Sequence, residues 1–178
     1  IMNRTWLVKT NMPVMGDTAT VRWTGNGMTV TSKGFLDMIS QDAGTAGKVV
    51  TPNMVDNNGF IEFSCPSAHP TFDVGFSGSG DEGCSYGFRF GNDGTVWSIT
   101  GGQVSAASVS TDASGGDISV TLSDGVASLR IDGVGKEAYT VVIPDEEKSS
   151  ALHGIIKAEA SETPLVLASV RTNGVAET

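Results

Sequence analysis

From about residue 58 onward, apolar and polar positions alternate with a period of two. Phe72, Val74 and Phe76 fall on one side with Asp73 on the other, and Tyr86, Phe88 and Phe90 repeat the pattern with Arg89 opposite. Ile118, Val120 and Leu122 do so again, followed by Ala127, Leu129 and Ile131 against Ser128 and Arg130, then by Tyr139, Val141 and Ile143. Successive side chains of a strand point to opposite faces, so this pattern predicts antiparallel strands with one face buried and one wet. The turn residues agree. Asp124-Gly125 separates DISVTL from VASLRI, Asn92-Asp93-Gly94 separates SYGFRF from TVWSIT, and Asp132-Gly133 ends the next strand. Tight hairpin turns need positive φ at their central residues, which Asn, Asp and Gly tolerate. LHGIIKAEA and PLVLASVRT, joined across SET, are apolar on both faces in places and read as central strands.

The first third is less regular. RTWLVK, ATVRWTG and GMTVTS read as strands, with Asn26-Gly27 as a turn joining the last two. Lys33 to Gly44 stays open, because Phe35, Met38 and Ile39 also fit a short helix. Pro144 followed by three acids predicts one short helix. Residues 42–59 are the best candidate boundary, yet one domain over residues 1–178 is the expectation. Residues 1–58 then form an N-terminal assembly segment rich in large apolar side chains such as Trp6, Met12, Met15 and Trp23. About a dozen strands at short turn spacings predict an all-β, antiparallel two-sheet sandwich or barrel with at most one or two short helices.

Composition sharpens this picture. Charged residues make up 17% of the 178 positions, against about 25% in a typical soluble protein, and Gly is abundant at 23 residues. The formal net charge of −9 argues against nucleic acid as a partner, because phosphate backbones bind cationic surfaces. No apolar run is long enough for a membrane-spanning helix, so no membrane partner is expected. IMNRTWLVKTN lacks the apolar core of a signal peptide, and Ile1 before Met2 fits an excised or joined segment.

Candidate chemistry is sparse. Gly78, Gly80 and Gly83 spell a G-x-G-x-x-G, but a strand-like CSYGFRF follows where a dinucleotide site needs a helix. Asp81 and Glu82 inside the loop would also repel phosphate, so a hairpin loop explains the motif. Cys65 and Cys84 bracket that loop; they are either a disulfide, contributing roughly 3 kcal/mol on the chain-entropy model, or two buried thiols. With His69 and His153 they lack the paired spacing of a zinc site. GFSGSG lacks the final glycine of a nucleophile elbow. No cofactor is expected; calcium held by loop oxygens at Asp56-Asn57-Asn58, Asp81-Glu82 or Asn92-Asp93 is left open.

FIEFSCPSAHPTFDVGFSG, SYGFRFGNDGTVWSI and DISVTLSDGVASLRIDG together resemble the concanavalin A-like lectin/glucanase jelly roll in its laminin-G or SPRY-like form. The resemblance spans about residues 58–170 and implies a two-sheet jelly roll. Glucanases of that superfamily carry an E-x-D-x-x-E strand whose carboxylates flank the scissile bond. Here Glu159 and Glu162 stand three apart without the central Asp, so no catalytic residue is nominated and no enzyme is expected.

Two roles are expected. The first is a virion structural protein, as a phage fibre, spike or capsid decoration, exposed on the virion surface and assembled with other virion proteins and with itself as a homo-oligomer, trimer favoured. It rests on the low charge and the Gly/Ser/Thr-rich strands. The alternative is an extracellular lectin-like module binding a host-surface glycan. For such a site the candidates are Trp97, as the ring on which a pyranose stacks, with Asp73, Arg89 and Asp93 as polar partners. Trp97 shares a strand face with Thr95 and Ile99, which also fits simple burial.

Overall fold

The computed structural model describes residues 22–173. Its strands are β1 (Thr24–Asn26), β2 (Thr29–Lys33), β3 (Leu36–Gln41), β4 (Gly47–Asn53), β5 (Gly59–Ser64), β6 (Phe72–Gly78), β7 (Tyr86–Phe90), β8 (Val96–Thr100), β9 (Gln103–Val104), β10 (Asp117–Ser123), β11 (Val126–Ile131), β12 (Val134–Val142), β13 (Leu152–Ala158) and β14 (Leu165–Thr172). One helical turn, α1 (Asp145–Lys148), links β12 to β13 directly after Pro144. Two seven-stranded antiparallel sheets result. The first runs β1-β4-β13-β6-β7-β8-β9 and the second β12-β11-β10-β5-β14-β3-β2. The all-β sandwich expected from alternation is therefore the fold.

The alternation decides which side chains fill the space between the sheets. Phe72, Val74, Phe76, Phe88 and Phe90 face inward from the first sheet, and Ile61, Phe63, Val120, Leu122 and Leu129 meet them from the second. Phe72 and Phe90, cross-strand partners, stack at 5.1 Å between centroids, while Phe63 presents an edge-on ring to each at 5.8 Å. Such offset and edge contacts suit the ring quadrupole and add to the burial itself. His69 packs edge-on to Phe72 at 5.3 Å. Its Nδ1 lies 2.8 Å from the Pro70 carbonyl and so donates, which leaves Nε2 to accept from the Ser114 hydroxyl at 2.9 Å. His69 is a satisfied core residue.

The turn chemistry of the later hairpins holds. Asp124-Gly125 and Asp132-Gly133 both have positive φ and close β10–β11 and β11–β12. β13 and β14 are central strands, although they belong to different sheets. In the first third, Asn26-Gly27 joins two strands as expected, but they lie in different sheets: β1 pairs with β4 in one and β2 with β3 in the other, so this turn carries the chain across the sandwich. Lys33 to Gly44, left open from sequence, is not helical. Gly34 and Phe35 turn the β2–β3 hairpin, leaving Phe35 87% exposed, and β3 alternates with Asp37, Ile39 and Gln41 inward. A carboxylate faces inward because Arg22 meets it: Nη2 and Nε donate to Asp37 at 2.7 and 2.9 Å, and Ser32 adds a third bond at 2.6 Å. The strand expected over RTWLVK, with Trp6, Met12 and Met15, lies outside the described residues. Residues 42–59 contain β4, an interior strand of the first sheet.

Candidate functional site

Register places one residue from each of six neighbouring strands in a line across the outer face of the first sheet. Asn26 pairs with Lys48, Lys48 with Lys157, Lys157 with Asp73, Asp73 with Arg89, and Arg89 with Trp97. Directly paired residues point to the same side of an antiparallel sheet. Since Phe72, Val74 and Phe88 point inward, this row points outward.

The glycine-rich loop supplies a wall beside the row. Gly75 and Gly87 face each other across β6 and β7. The Cys84 side chain lies over both: an added Cβ would sit 2.6 Å from its Sγ at Gly75 and 2.8 Å at Gly87. The two glycines thus make the socket into which the loop folds back. Around Cys84, Ile99 and Ile155 form a small apolar cluster, with Val50 against it, separate from the core between the sheets. The loop is tied at several points. Ser77 Oγ donates to the Gly83 carbonyl at 2.5 Å, while Asp81 accepts from the Gly78 amide at 2.9 Å and the Ser85 hydroxyl at 2.8 Å. The Glu82 carbonyl then receives both Lys48 Nζ and Lys157 Nζ at 3.3 Å each.

Of the two alternatives for the cysteines, the structure has the buried thiols. Cys65 and Cys84 are free, buried thiols, Cys65 in the core between the sheets and Cys84 on the outer face. Burial pushes the Cys65 thiol up to about 11 and raises that of Cys84 further, with the Asp73 carboxylate adding to the effect.

Within the row, Arg89 and Asp73 form a two-point pair, Nε to Oδ1 at 2.8 Å and Nη2 to Oδ2 at 3.1 Å, with Arg89 40% and Asp73 13% exposed. The hydrogen bond to Asp73 holds the guanidinium above its ordinary pKa against the opposing desolvation. Trp97 is half-buried, its ring laid against Gly91, where a Cβ would come within 2.8 Å of it. The same position lies 3.3 Å from the Asp93 carboxylate, so Asp93 borders the tryptophan end of the row. Asp93 Oδ1 accepts from the Thr95 amide at 3.0 Å, and that bond lowers its pKa.

Two shallow depressions follow the row. One of about 110 Å³ is lined by Thr71, Asp73, Arg89, Lys157 and Glu159; the other, about 200 Å³, by Asn26, Lys48, Glu82, Lys157 and Glu159. They share Lys157 and Glu159 and form one trough. A larger hollow of about 430 Å³ lies on the outer face of the second sheet, among Glu62, Ser119, Arg130 and Arg171. Its acid–base pair is closed, Arg171 donating to Glu62 at 2.8 Å and covering the Phe60 ring, while Arg130 reaches only the Gly133 carbonyl at 3.4 Å, and among the described residues no Trp ring lines it. The first-sheet row is the better candidate because it combines two lysines that have no acidic partner among the described residues, a fixed Asp73–Arg89 pair and a half-buried indole.

The four residues nominated from sequence therefore come together. Missed were Asn26, Lys48, Lys157 and the Glu82 carbonyl. Lys157 carried a readable signal, a lysine on the outward phase of the otherwise apolar LHGIIKA. In the candidate calcium loops several oxygens serve internal bonds: Asn57 donates to the Lys148 and Ser150 carbonyls and accepts from the Leu152 amide, and Asp81 and Asp93 accept from amides of their own loops. Among the described residues no three His, Cys, Asp or Glu side chains converge as metal ligands. Glu159 and Glu162 both lie on the connection between β13 and β14 rather than along a strand.

No protein-family model matches the sequence, and no curated protein matches it. Solved structures do match by shape. The chain is similar to the exoplasmic/lumenal domain of VIP36 in its Ca²⁺/Man2-bound form, with TM-score 0.57 and 9% identity, covering 93% of this chain and 86% of that one. It is similar to the SPRY domain of human HERC1, with TM-score 0.57 and 11% identity, covering 86% and 100%. It is also similar to the alginate lyase from Corynebacterium sp., with TM-score 0.51 and 11% identity, covering 82% and 80%. All three are concanavalin A-like jelly rolls, and this chain has that fold. At such identities the likeness is one of fold, and it embraces a lectin domain and an enzyme alike.

Proposed function

We propose that the protein is a non-enzymatic, lectin-like module that binds saccharide along the outer face of the first sheet. The observation that carries this reading is the polar row ending in a half-buried tryptophan. A pyranose ring offers an apolar face that stacks on indole and a rim of hydroxyls that need charged or amide partners. Trp97 supplies the platform, and the Asp73–Arg89 pair, fixed by its two bonds, supplies an acceptor and a donor at known positions. Asp93 at one end and Asn26 at the other extend the polar surface. A row crossing six strands, with a trough along five of them, suits an oligosaccharide better than a single sugar.

Likeness to a mannose-bound lectin domain supports this reading, and likeness to a lyase keeps a catalytic alternative in play. The virion role suggested by composition draws no support from the row or from the likenesses, so glycan contact takes precedence over it. An extracellular setting follows from the proposed ligand.

The test is binding to an array of diverse oligosaccharides by the protein and its Trp97→Ala variant. Removing a central aromatic anchor weakens such contacts by about 2 kcal/mol or more, roughly thirtyfold. Loss of binding with an unchanged melting temperature supports the proposal; equal binding by both proteins defeats it. The same array run in EDTA distinguishes direct recognition, which is the expectation, from recognition through a cation.

A further inference from the structure

Resting on that reading, we infer that the saccharide is acidic, and that Lys48 and Lys157 form the subsite for its carboxylate or sulfate. The two lysines are direct cross-strand partners on β4 and β13. Like charges in that relation repel, and sheets generally avoid it. Here they are brought closer still, because both ammonium groups converge on one acceptor, the Glu82 carbonyl, at 3.3 Å each. A backbone carbonyl carries only a partial charge, and among the described residues neither lysine forms an ion pair. The arrangement stands in a chain of net charge −9, where a matching carboxylate would be easy to supply. Elsewhere on the surface a cation is met by a carboxylate at Arg171, by Glu62, and at Lys148, by Asp145 at 3.0 Å.

Placement reinforces the charge argument. Both lysines are half-buried and line the trough that also contains Arg89. The loop that provides the shared carbonyl is anchored by Cys84 in its glycine socket, so the acceptor that gathers the two ammonium groups has a fixed position. Two donors held side by side suit an acceptor with two or three oxygens. Glu159 borders the same trough and selects against a second anion close by, so one acidic group per bound segment is the fit.

The experiment uses the whole chain and matched probes: uronate oligosaccharides, the same oligosaccharides as neutral methyl esters, and sulfated oligosaccharides, each titrated by calorimetry at low and at high salt. The free acid or the sulfated sugar binds about tenfold or more tightly than the ester, and only that excess is lost at high salt. Lys48→Met with Lys157→Met abolishes the difference between acid and ester, while the double arginine variant retains the preference. Whether carboxylate or sulfate gains more names the source of the anion. Equal affinity for acid and ester, or an acid preference untouched by the methionine variants, overturns this inference and leaves saccharide binding standing. Failure of every probe, neutral ones on the array included, overturns both.

Discussion

The two outer faces of the sandwich are built by the same rule and end in opposite electrostatic states. On the second sheet the row Arg171–Glu62–Ser119–Arg130 sets no two like charges side by side, and the Arg171 guanidinium is spent on Glu62 and on the Phe60 ring. On the first sheet two lysines adjoin, an ion pair follows, and an aromatic ring ends the line. The second face has the larger hollow, about 430 Å³ against about 110 and 200 Å³. Volume alone therefore does not mark the site. Two lysines without an acidic partner among the described residues, in one row with a half-buried indole, do, because a ligand gains most from groups that have no better partner in the free protein.

The faces also differ in how they are made, and that difference breaks most sharply at Gly87. A Cβ there would lie 2.4 Å from the Val74 carbonyl as well as against Cys84. Gly87→Ala is expected to cost about 2–3 kcal/mol, lowering Tm by roughly 5–10 °C in a domain of this size, and to lift the loop that carries Glu82. Ser119→Ala on the second sheet, away from any such socket, changes stability by no more than about 0.5 kcal/mol. Thermal melts of the two variants make the comparison. Equal melting temperatures would show that the loop does not depend on the socket.

A smaller contrast concerns the ion pairs. Asp73→Ala leaves a partly covered guanidinium without its partner and is expected to destabilise by about 1–2 kcal/mol. Glu62→Ala separates an exposed pair and costs less than about 1 kcal/mol. Denaturant titration of both variants ranks them, and the reverse order would contradict the assignment of the better-ordered pair to the first sheet.

The smallest effect is in pH. His153, on the outer phase of β13, has its pKa lowered from 6.5 chiefly by burial. The unfolded chain thus binds a proton before the folded one does. Stability falls as pH drops through 6.5 and reaches its full loss below the lowered folded value. His153→Gln flattens that part of the stability–pH curve, and an unchanged slope would assign the acid sensitivity to other groups.

Legibility in the sequence followed the locality of each pairing. β6, β7 and β8 are successive hairpin neighbours, so alternation set Asp73 and Arg89 opposite the apolar face, but that Trp97 shares their side, with Asp93 beside it, is shown only by the register. Lys48 and Lys157 meet only through the pairing of β4 with β13, more than a hundred residues apart, which no local pattern encodes. The Lys33 to Gly44 segment misled for another reason: Asp37 faces inward against Arg22, and a buried charge breaks the apolar alternation that marks a strand. Asn26-Gly27 has the chemistry of a hairpin turn, but positive φ at Gly27 serves equally well for a crossing between sheets.

The most direct test of the central claim is a ¹H–¹⁵N NMR titration of the protein with a saccharide that binds it. The account predicts shift changes at the Trp97 indole, the Arg89 side chain and the amides of β4, β13, β6 and β7 around the row. Changes centred instead on Glu62, Ser119, Arg130 and Arg171 would place the ligand on the second sheet and contradict it.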